Sequence, residues 1–304
     1  MSADNKVILV TRRTRLEELV AQYNTEEQAA FVITSRGSEF EDYRIEHNTY
    51  MESVKKVEAE LKRSARVQRL ERGFLPNFIF GPQDTVVVVG QDGLVANTLK
   101  YLNGQPVIAI NPDPARFDGT LLPFAVENTK AIFADVISER YQSKQITMAK
   151  ATLNDGQELI GVNDLFIGPR IQISARYELS IDGESEVQSS SGIIVSTGLG
   201  STGWLKSIVA GAAGVLGRKR KEESVMEWDA RKLKFAVREP FPSQATGVDI
   251  VFGEITQKSE MKVSSLMAGN GVIFSDGMVD DAIEFNSGSE VSIGIAQHQG
   301  VIVV

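Results

Sequence analysis

Three continuous apolar runs, Lys6–Thr11 (KVILVT), Thr85–Val89 (TVVVV) and Pro106–Ile110 (PVIAI), constrain the fold of this chain more than any other feature. A strand with one wet face alternates apolar and polar residues. A strand apolar at every position is covered on both faces, as in a parallel sheet flanked by helices. Helical spacing fills the intervals. Leu16–Tyr23 (LEELVAQY) and Gly93–Leu102 read as helices, and Val54, Val57, Leu61, Ala65 and Leu70 predict a long amphipathic helix over Asn48–Arg72.

Strand–helix–strand order with such strands predicts an N-terminal α/β domain of the Rossmann or flavodoxin-like type. The pattern changes after Pro123. From about Ala131 come short runs rich in Val, Ile and Thr, punctuated by Asn154-Asp155-Gly156, Ile181-Asp182-Gly183, Ser275-Asp276-Gly277 and Asn286-Ser287-Gly288. Asp-Gly pairs between apolar runs are hairpin signals, because the turn needs positive φ. One helix is expected near Trp204–Leu216. The expected architecture is therefore α/β plus all-β: a parallel-sheet domain at 1–125 and a mainly antiparallel β-sandwich at 126–304. The last strands, through Gly300–Val304, are free to pack back on the first domain. Two domains suit a chain of 304 residues.

Composition removes several classes. With no cysteine, zinc–thiolate sites, iron–sulfur clusters, thiol nucleophiles and disulfides are excluded together. Two histidines, His47 and His298, leave little room for His-based metal sites and read as surface or structural residues. Forty acidic against 32 basic side chains give a net charge of −8, which argues against a nucleic-acid partner. No apolar run approaches the roughly 20 residues that span a bilayer, so no membrane partner is expected. The first residues show no signal or Arg-rich transit pattern, and a cytoplasmic location is expected. The run Arg218-Lys219-Arg220-Lys221, followed by Glu222 and Glu223, reads as a solvated loop or as a flap that attracts phosphate.

Three constellations carry chemistry. Gly90-Gln91-Asp92-Gly93 follows the strand TVVVV and opens a helix. There a helix N-terminus at the carboxyl end of a parallel strand presents free N–H groups to phosphate, and the carboxylate serves as base or Mg²⁺ ligand. The bland alternative is a tight turn with an Asp cap. Gly198-Leu199-Gly200-Ser201-Thr202-Gly203 follows the strand Gly192–Thr197 and matches the dinucleotide pattern literally. Its place in the β-rich half favours a turn that contacts phosphate or adenine over a dehydrogenase fingerprint. Asn163-Asp164, inside the apolar stretch Gly161–Gly168, is expensive if buried unpaired. It is either a ligand-holding pair or a strand-end turn. No Walker loop, nucleophile elbow, HExxH or EF-hand sequence is present.

In order, GQDG (90–93), ND (163–164) and STGLGSTGW (196–204) resemble the NAD kinase family, whose marks are a Gly-Gly-Asp-Gly loop, an Asn-Glu pair and a strand leading into a Gly-Ser-Thr turn. The family shares a fold with the diacylglycerol and sphingosine kinases. The likeness is greater to the mitochondrial type, through Thr14-Arg15-Leu16-Glu17, the segment Asn111-Pro112-Asp113-Pro114, NDLFIG, SSGIIVSTGLGS and REPF (238–241). It runs from about residue 6 to the end. Departures are Gln91 for a glycine, Asp164 for Glu, Ser191 for the usual Asp and Gly203-Trp204 for Ala-Tyr. If position 91 needs positive φ, Gln91 pays a steric penalty there.

The resemblance implies phosphoryl transfer from ATP to the 2′-hydroxyl of the adenosine ribose of NAD, giving NADP. Asp92 would be the base, and Gly90, Gln91 and Gly93 would hold the triphosphate, with Arg15 and Asn111 as further phosphate or ATP contacts. Asn163 and Asp164 would orient NAD, and Thr197, Ser201 and Thr202 would touch the nucleotide. Mg²⁺ would be held mainly by the phosphates, with Asp92 as a further candidate ligand. Residues 1–125 would then bind ATP and 126–304 NAD, in a homodimer or higher homo-oligomer. Arg116 and Arg238 are further cations to examine. The rival expectations are a kinase of the same fold acting on a lipid or sugar hydroxyl, and a nucleotide-binding homologue without activity, motivated by Gln91.

Overall fold

A computed structural model describes residues 5–218 and 225–304. Most of the basic run after Arg218, with Glu222 and Glu223, lies outside the described residues. The chain divides into two compact units, residues up to 143 with 301–304, and residues 144–300.

The three apolar runs are parallel strands of one sheet, and their central residues are fully buried. Side by side the strands run Arg66–Glu71, Lys6–Thr11, Thr85–Val89, Pro106–Asn111 and the returning Gly300–Val303, all parallel. On one face Val7, Leu9, Val87, Val89, Ile108, Ile110 and Val303 pack against Tyr50, Val54, Val57 and Leu61 of the helix Glu41–Leu61, with Phe133 and Val136 of Thr129–Ile137. The helix expected over Asn48–Arg72 therefore starts earlier and stops at Leu61. The segment Arg66–Glu71 (RVQRLE) is instead an edge strand, in register from Lys6 opposite Arg66 to Thr11 opposite Glu71. An edge strand buries little, so its polar sequence carries no period-two signal, and Ala65 and Leu70 happen to continue the helical phase. The sequence also gave no warning of the helix Glu26–Ser35, capped by Thr25 and packed on Arg15–Tyr23 through Ala29 and Leu16.

The second unit contains two six-stranded antiparallel sheets. In the sheet that carries the candidate residues the order is Phe252–Thr256, Lys232–Val237, Ile193–Ser196, Asp164–Pro169, Gly271–Ser275 and Met278–Glu284. Alternation along its strands divides their side chains. Leu165, Ile167, Ile193 and Val195 enter the core between the sheets. Phe166 and Ile194 face outward and are covered by Trp204 and Ile208 of the helix Trp204–Val215. The ring of Phe166 stacks on both Trp204 and Phe274. The turn signals at 182–183 and 276–277 form hairpins with positive φ at Asp182, Gly183, Asp276 and Gly277. Asn286-Ser287-Gly288 is no hairpin: it carries the chain from one sheet to the other, between Met278–Glu284 and Glu290–Ile295.

Candidate functional site

In the first unit the strand Thr85–Val89 ends at Gly90, whose N–H donates to the Ile110 carbonyl at 3.3 Å. Gln91 is the N-cap of the helix Asp92–Leu99 and has extended backbone, φ −117° and ψ 165°. The steric penalty expected for a side chain at this position is therefore absent, because the loop does not need the left-handed conformation here. Gln91 makes no side-chain cap, so the first N–H groups of the helix are not bonded by it. Gly93 has open space where a Cβ would stand. The Asp92 carboxylate accepts from the backbone N–H of Leu121 at 2.8 Å and of Thr120 at 3.3 Å. It thereby sits against the loop that follows the next strand. Asn111 fastens that same loop. Its amide donates to the Phe117 carbonyl at 2.9 Å and accepts from the Asp113 N–H at 3.0 Å.

Next to the end of the first strand the cations pair with acids. Arg15 meets Asp42 at 2.8 Å and Glu46 at 2.5 Å, and its guanidinium lies over the Tyr43 ring. Arg116 meets the same Asp42 at 2.6 Å. Hydrogen bonds from Arg116 and then Arg15 hold the Asp42 carboxyl far below the usual carboxylate range. Burial alone would raise Glu46, which is 3% exposed, but Arg12 and Arg15 outweigh it and the carboxyl is lowered. Tyr50 ties this cluster to the sheet: its hydroxyl donates to the Val89 carbonyl at 3.0 Å and accepts from the Arg12 N–H at 2.9 Å. Arg15 is thus a partner of two carboxylates rather than a free cation. Arg238, in the second unit, lies over the Trp204 ring.

The second unit brings Asn163-Asp164 and the Gly-Ser-Thr turn together. Ser196, which ends its strand, is directly opposite Asp164. Thr197 donates from its hydroxyl to the Val162 carbonyl at 2.6 Å and from its N–H to the Asn163 carbonyl at 2.9 Å. A Cβ on Gly200 would overlap the Asn163 carbonyl, and one on Gly198 would overlap the Glu227 carbonyl. These glycines exist for close backbone packing. Ser201 is fully buried, and its hydroxyl donates to the Gly198 carbonyl at 2.7 Å and accepts from the Met226 N–H at 3.0 Å. Thr202 is exposed. Thr197 and Ser201 hold the turn by their side chains, and Thr202 is the residue of the three that faces solvent. The turn follows a strand of an antiparallel sheet. It therefore lacks the parallel strand–turn–helix setting that a dinucleotide fingerprint requires.

Sequence reasoning assigned Asp276 to a hairpin and missed its second role. Its carboxylate accepts from the backbone N–H groups of Asn163 at 2.6 Å and Val162 at 3.0 Å, and more distantly from Asp164 at 3.3 Å. Its own N–H donates to the Asp164 carbonyl at 3.0 Å. Asp164 is 8% exposed. Burial, with the Asp276 charge adding to it, pushes the Asp164 carboxyl up to about 7. The consequence has a definite sign. Between the ordinary value near 4 and about 7 the folded chain keeps a proton that the unfolded chain has lost. Stability from this group is complete at low pH and falls as pH rises through that window, by at most about 4 kcal/mol at pH 8. Asp164→Asn removes the fall, so urea unfolding at pH 5 and pH 8 gives a smaller difference in the variant than in the parent. Equal differences would sink the assignment.

The chain is an α/β-plus-β-sandwich protein whose two glycine-containing loops, Gly90–Gly93 and Gly198–Gly203, follow strands. Neither a protein-family model nor a curated protein sequence matches the chain. Solved structures do. The chain is similar to an NAD kinase from Archaeoglobus fulgidus in complex with ATP, with a TM-score of 0.60 and 17% identity, over 98% of this chain and 93% of that one. It is also similar to yeast NADH kinase complexed with NADH, with a TM-score of 0.62 and 14% identity, over 99% of this chain and 83% of that one. The likeness at these identities is one of fold, and the fold is that of the NAD kinases.

Proposed function

We propose that this protein transfers the γ-phosphoryl group of ATP to the 2′-hydroxyl of the adenosine ribose of NAD, giving NADP and ADP. The observation that supports it best is that a fold shared with NAD kinases over nearly the whole chain carries GQDG, ND and the Gly-Ser-Thr turn at strand ends. In this reading Gly90, Gln91, Gly93 and the N-terminus of the helix they open cradle phosphate oxygens. Asn111 acts through the loop it fastens. Asp92 takes the proton as the hydroxyl oxygen bonds to the γ-phosphorus and the bond to the β–γ bridging oxygen breaks. Each oxygen of its carboxylate keeps a lone pair beyond its backbone hydrogen bond. Positioning and charge neutralisation do the remainder. Among the described residues no three His, Asp or Glu side chains cluster so as to hold a metal. In this reading Mg²⁺ enters with ATP, held mainly by phosphate oxygens, with Asp92 as a further candidate ligand. Asn163 and Asp164 orient the dinucleotide, Thr197 and Ser201 hold the turn, and Thr202 contacts the nucleotide. A homodimer or larger homo-oligomer in the cytoplasm belongs to the same reading.

Purified protein incubated with MgATP and either NAD or NADH should produce NADP or NADPH, detected by an NADP-specific dehydrogenase. Binding of the dinucleotide with no phosphorylated product would overturn the kinase assignment, and ATP consumption only with a lipid or sugar acceptor would redirect it.

A further inference from the structure

The Gly90–Gly93 loop accounts for the transferred phosphate but not for the rest of the donor nucleotide. The arginines picked out by sequence do not fill that gap in the first unit, since Arg15 and Arg116 are both held by Asp42. Arg12 is 10% exposed and divided between Glu46 at 2.7 Å and the Arg13 carbonyl at 2.8 Å, with its guanidinium over the Tyr50 ring.

One strand further out the arrangement is different. The carboxyl ends of Lys6–Thr11 and Arg66–Glu71 border a cavity of about 430 Å³, lined by Arg12, Arg13, Arg69, Leu70, Glu71 and Phe74 among others. Arg13 is 59% exposed, with Glu71 at 3.5 Å. Arg69 donates from Nε to the Thr11 hydroxyl at 3.3 Å, and no carboxylate among the described residues pairs with it. The Phe74 ring is 61% exposed. The other carboxylate on the cavity, Glu17, accepts from the Thr14 N–H at 2.8 Å in the cap of its own helix. In a chain of net charge −8, two weakly paired guanidiniums beside a bare aromatic face are an uncommon grouping. Guanidiniums bind phosphate oxygens bidentately, and an aromatic face takes a flat ring.

Position adds to this. The strands run Arg66–Glu71, Lys6–Thr11, Thr85–Val89. The cavity therefore lies one to two strand spacings, about 5–10 Å, from the end of the strand that feeds Gly90. It also lies on the carboxyl edge, where ligands of open parallel sheets bind. The geometry points to this cavity as the seat of the nucleoside end of the phosphate donor. Arg13 and Arg69 meet its α- and β-phosphate oxygens, and Phe74 meets the purine. The assignment rests on the ATP-dependent reading above.

Titration with MgATP by calorimetry, without NAD, tests it. The double variant Arg13→Gln/Arg69→Gln should bind MgATP about tenfold more weakly or worse, with an unchanged melting temperature. Phe74→Ala should weaken binding, and Glu71→Gln, which removes the opposing charge, should tighten it. In turnover the double variant should raise KM for ATP and leave KM for NAD alone. A double variant that binds MgATP within about twofold of the parent overturns the assignment. Binding that depends on Arg13 and Arg69 without any NADP formed would refute the kinase reading and leave the seat standing. A parent chain that binds no MgATP removes both.

Discussion

With Asp92 as the base of the proposed reaction, Asp92→Asn should lower turnover by about 10²–10⁴-fold, the usual worth of a positioned general base, and should leave NAD binding and the melting temperature close to those of the parent. The substitution is nearly isosteric. An amide oxygen can still accept from the Leu121 N–H, which is the shorter of the two backbone contacts at 2.8 Å. The loop against the helix N-terminus therefore stays in place, and only the proton acceptor is lost. Asp92→Ala is the less informative change, because it also releases Thr120 and Leu121. Initial rates at saturating MgATP and NAD, with calorimetric NAD affinity alongside, separate the chemical role from the structural one. Turnover at the parent rate in Asp92→Asn would remove this carboxylate from catalysis.

Gly200→Ala destabilises the second unit by about 3 kcal/mol or more, at the upper end of what overpacking costs. Its new Cβ would meet the Asn163 carbonyl, carbon and Cα, all main-chain atoms. A side chain could rotate away, but the strand end that carries Asn163 is pinned. It is held by the Thr197 N–H on the Asn163 carbonyl and by the Asp276 carboxylate on the Asn163 N–H. The melting transition should drop by roughly 6–12 °C. Gly93→Ala is the contrasting case. No atom stands near the new methyl and the residue is in the first turn of a helix, where Ala is the better helix former. It should fold at least as well as the parent and lose activity only if phosphate approaches that backbone. A Gly200→Ala protein as stable as the parent would mean that the turn can move as a body.

Much of the first unit was legible because its central strands are apolar at every position, a pattern with one physical solution. The loop GQDG could be placed at a strand–helix junction for the same reason. Edge elements were not legible. Arg66–Glu71 buries too little to mark its own period, and its pairing with Lys6–Thr11 is a tertiary fact. The site residues divide along a similar line. Asp164 and the turn at 197–203 stand out as polar or glycine-rich breaks in apolar sequence. Asp276 reaches its partners across 112 to 114 residues, and a hairpin turn alone explains an Asp-Gly pair there. The pairing of Arg15 with Asp42 and Glu46 depends on which face of a helix some 30 residues away meets the first strand's end. Local spacing carries no information about that.

The strand Gly300–Val303 lies between Pro106–Asn111 and Ser143–Ile146 in the parallel sheet of the first unit, and Val303 is fully buried in that sheet's core. On the ribosome, residues 5–143 therefore emerge as a sheet with an open edge, and that edge stays open until some 160 further residues have been made. The nascent chain must guard an unpaired strand edge for that whole interval, a condition that favours intermolecular pairing. Once closed, the pairing of Pro106–Asn111 with the returning strand makes residues 301–304 part of the first unit. Unravelling from residue 303 would reach the parallel sheet of the first unit before it reached anything nearer in sequence.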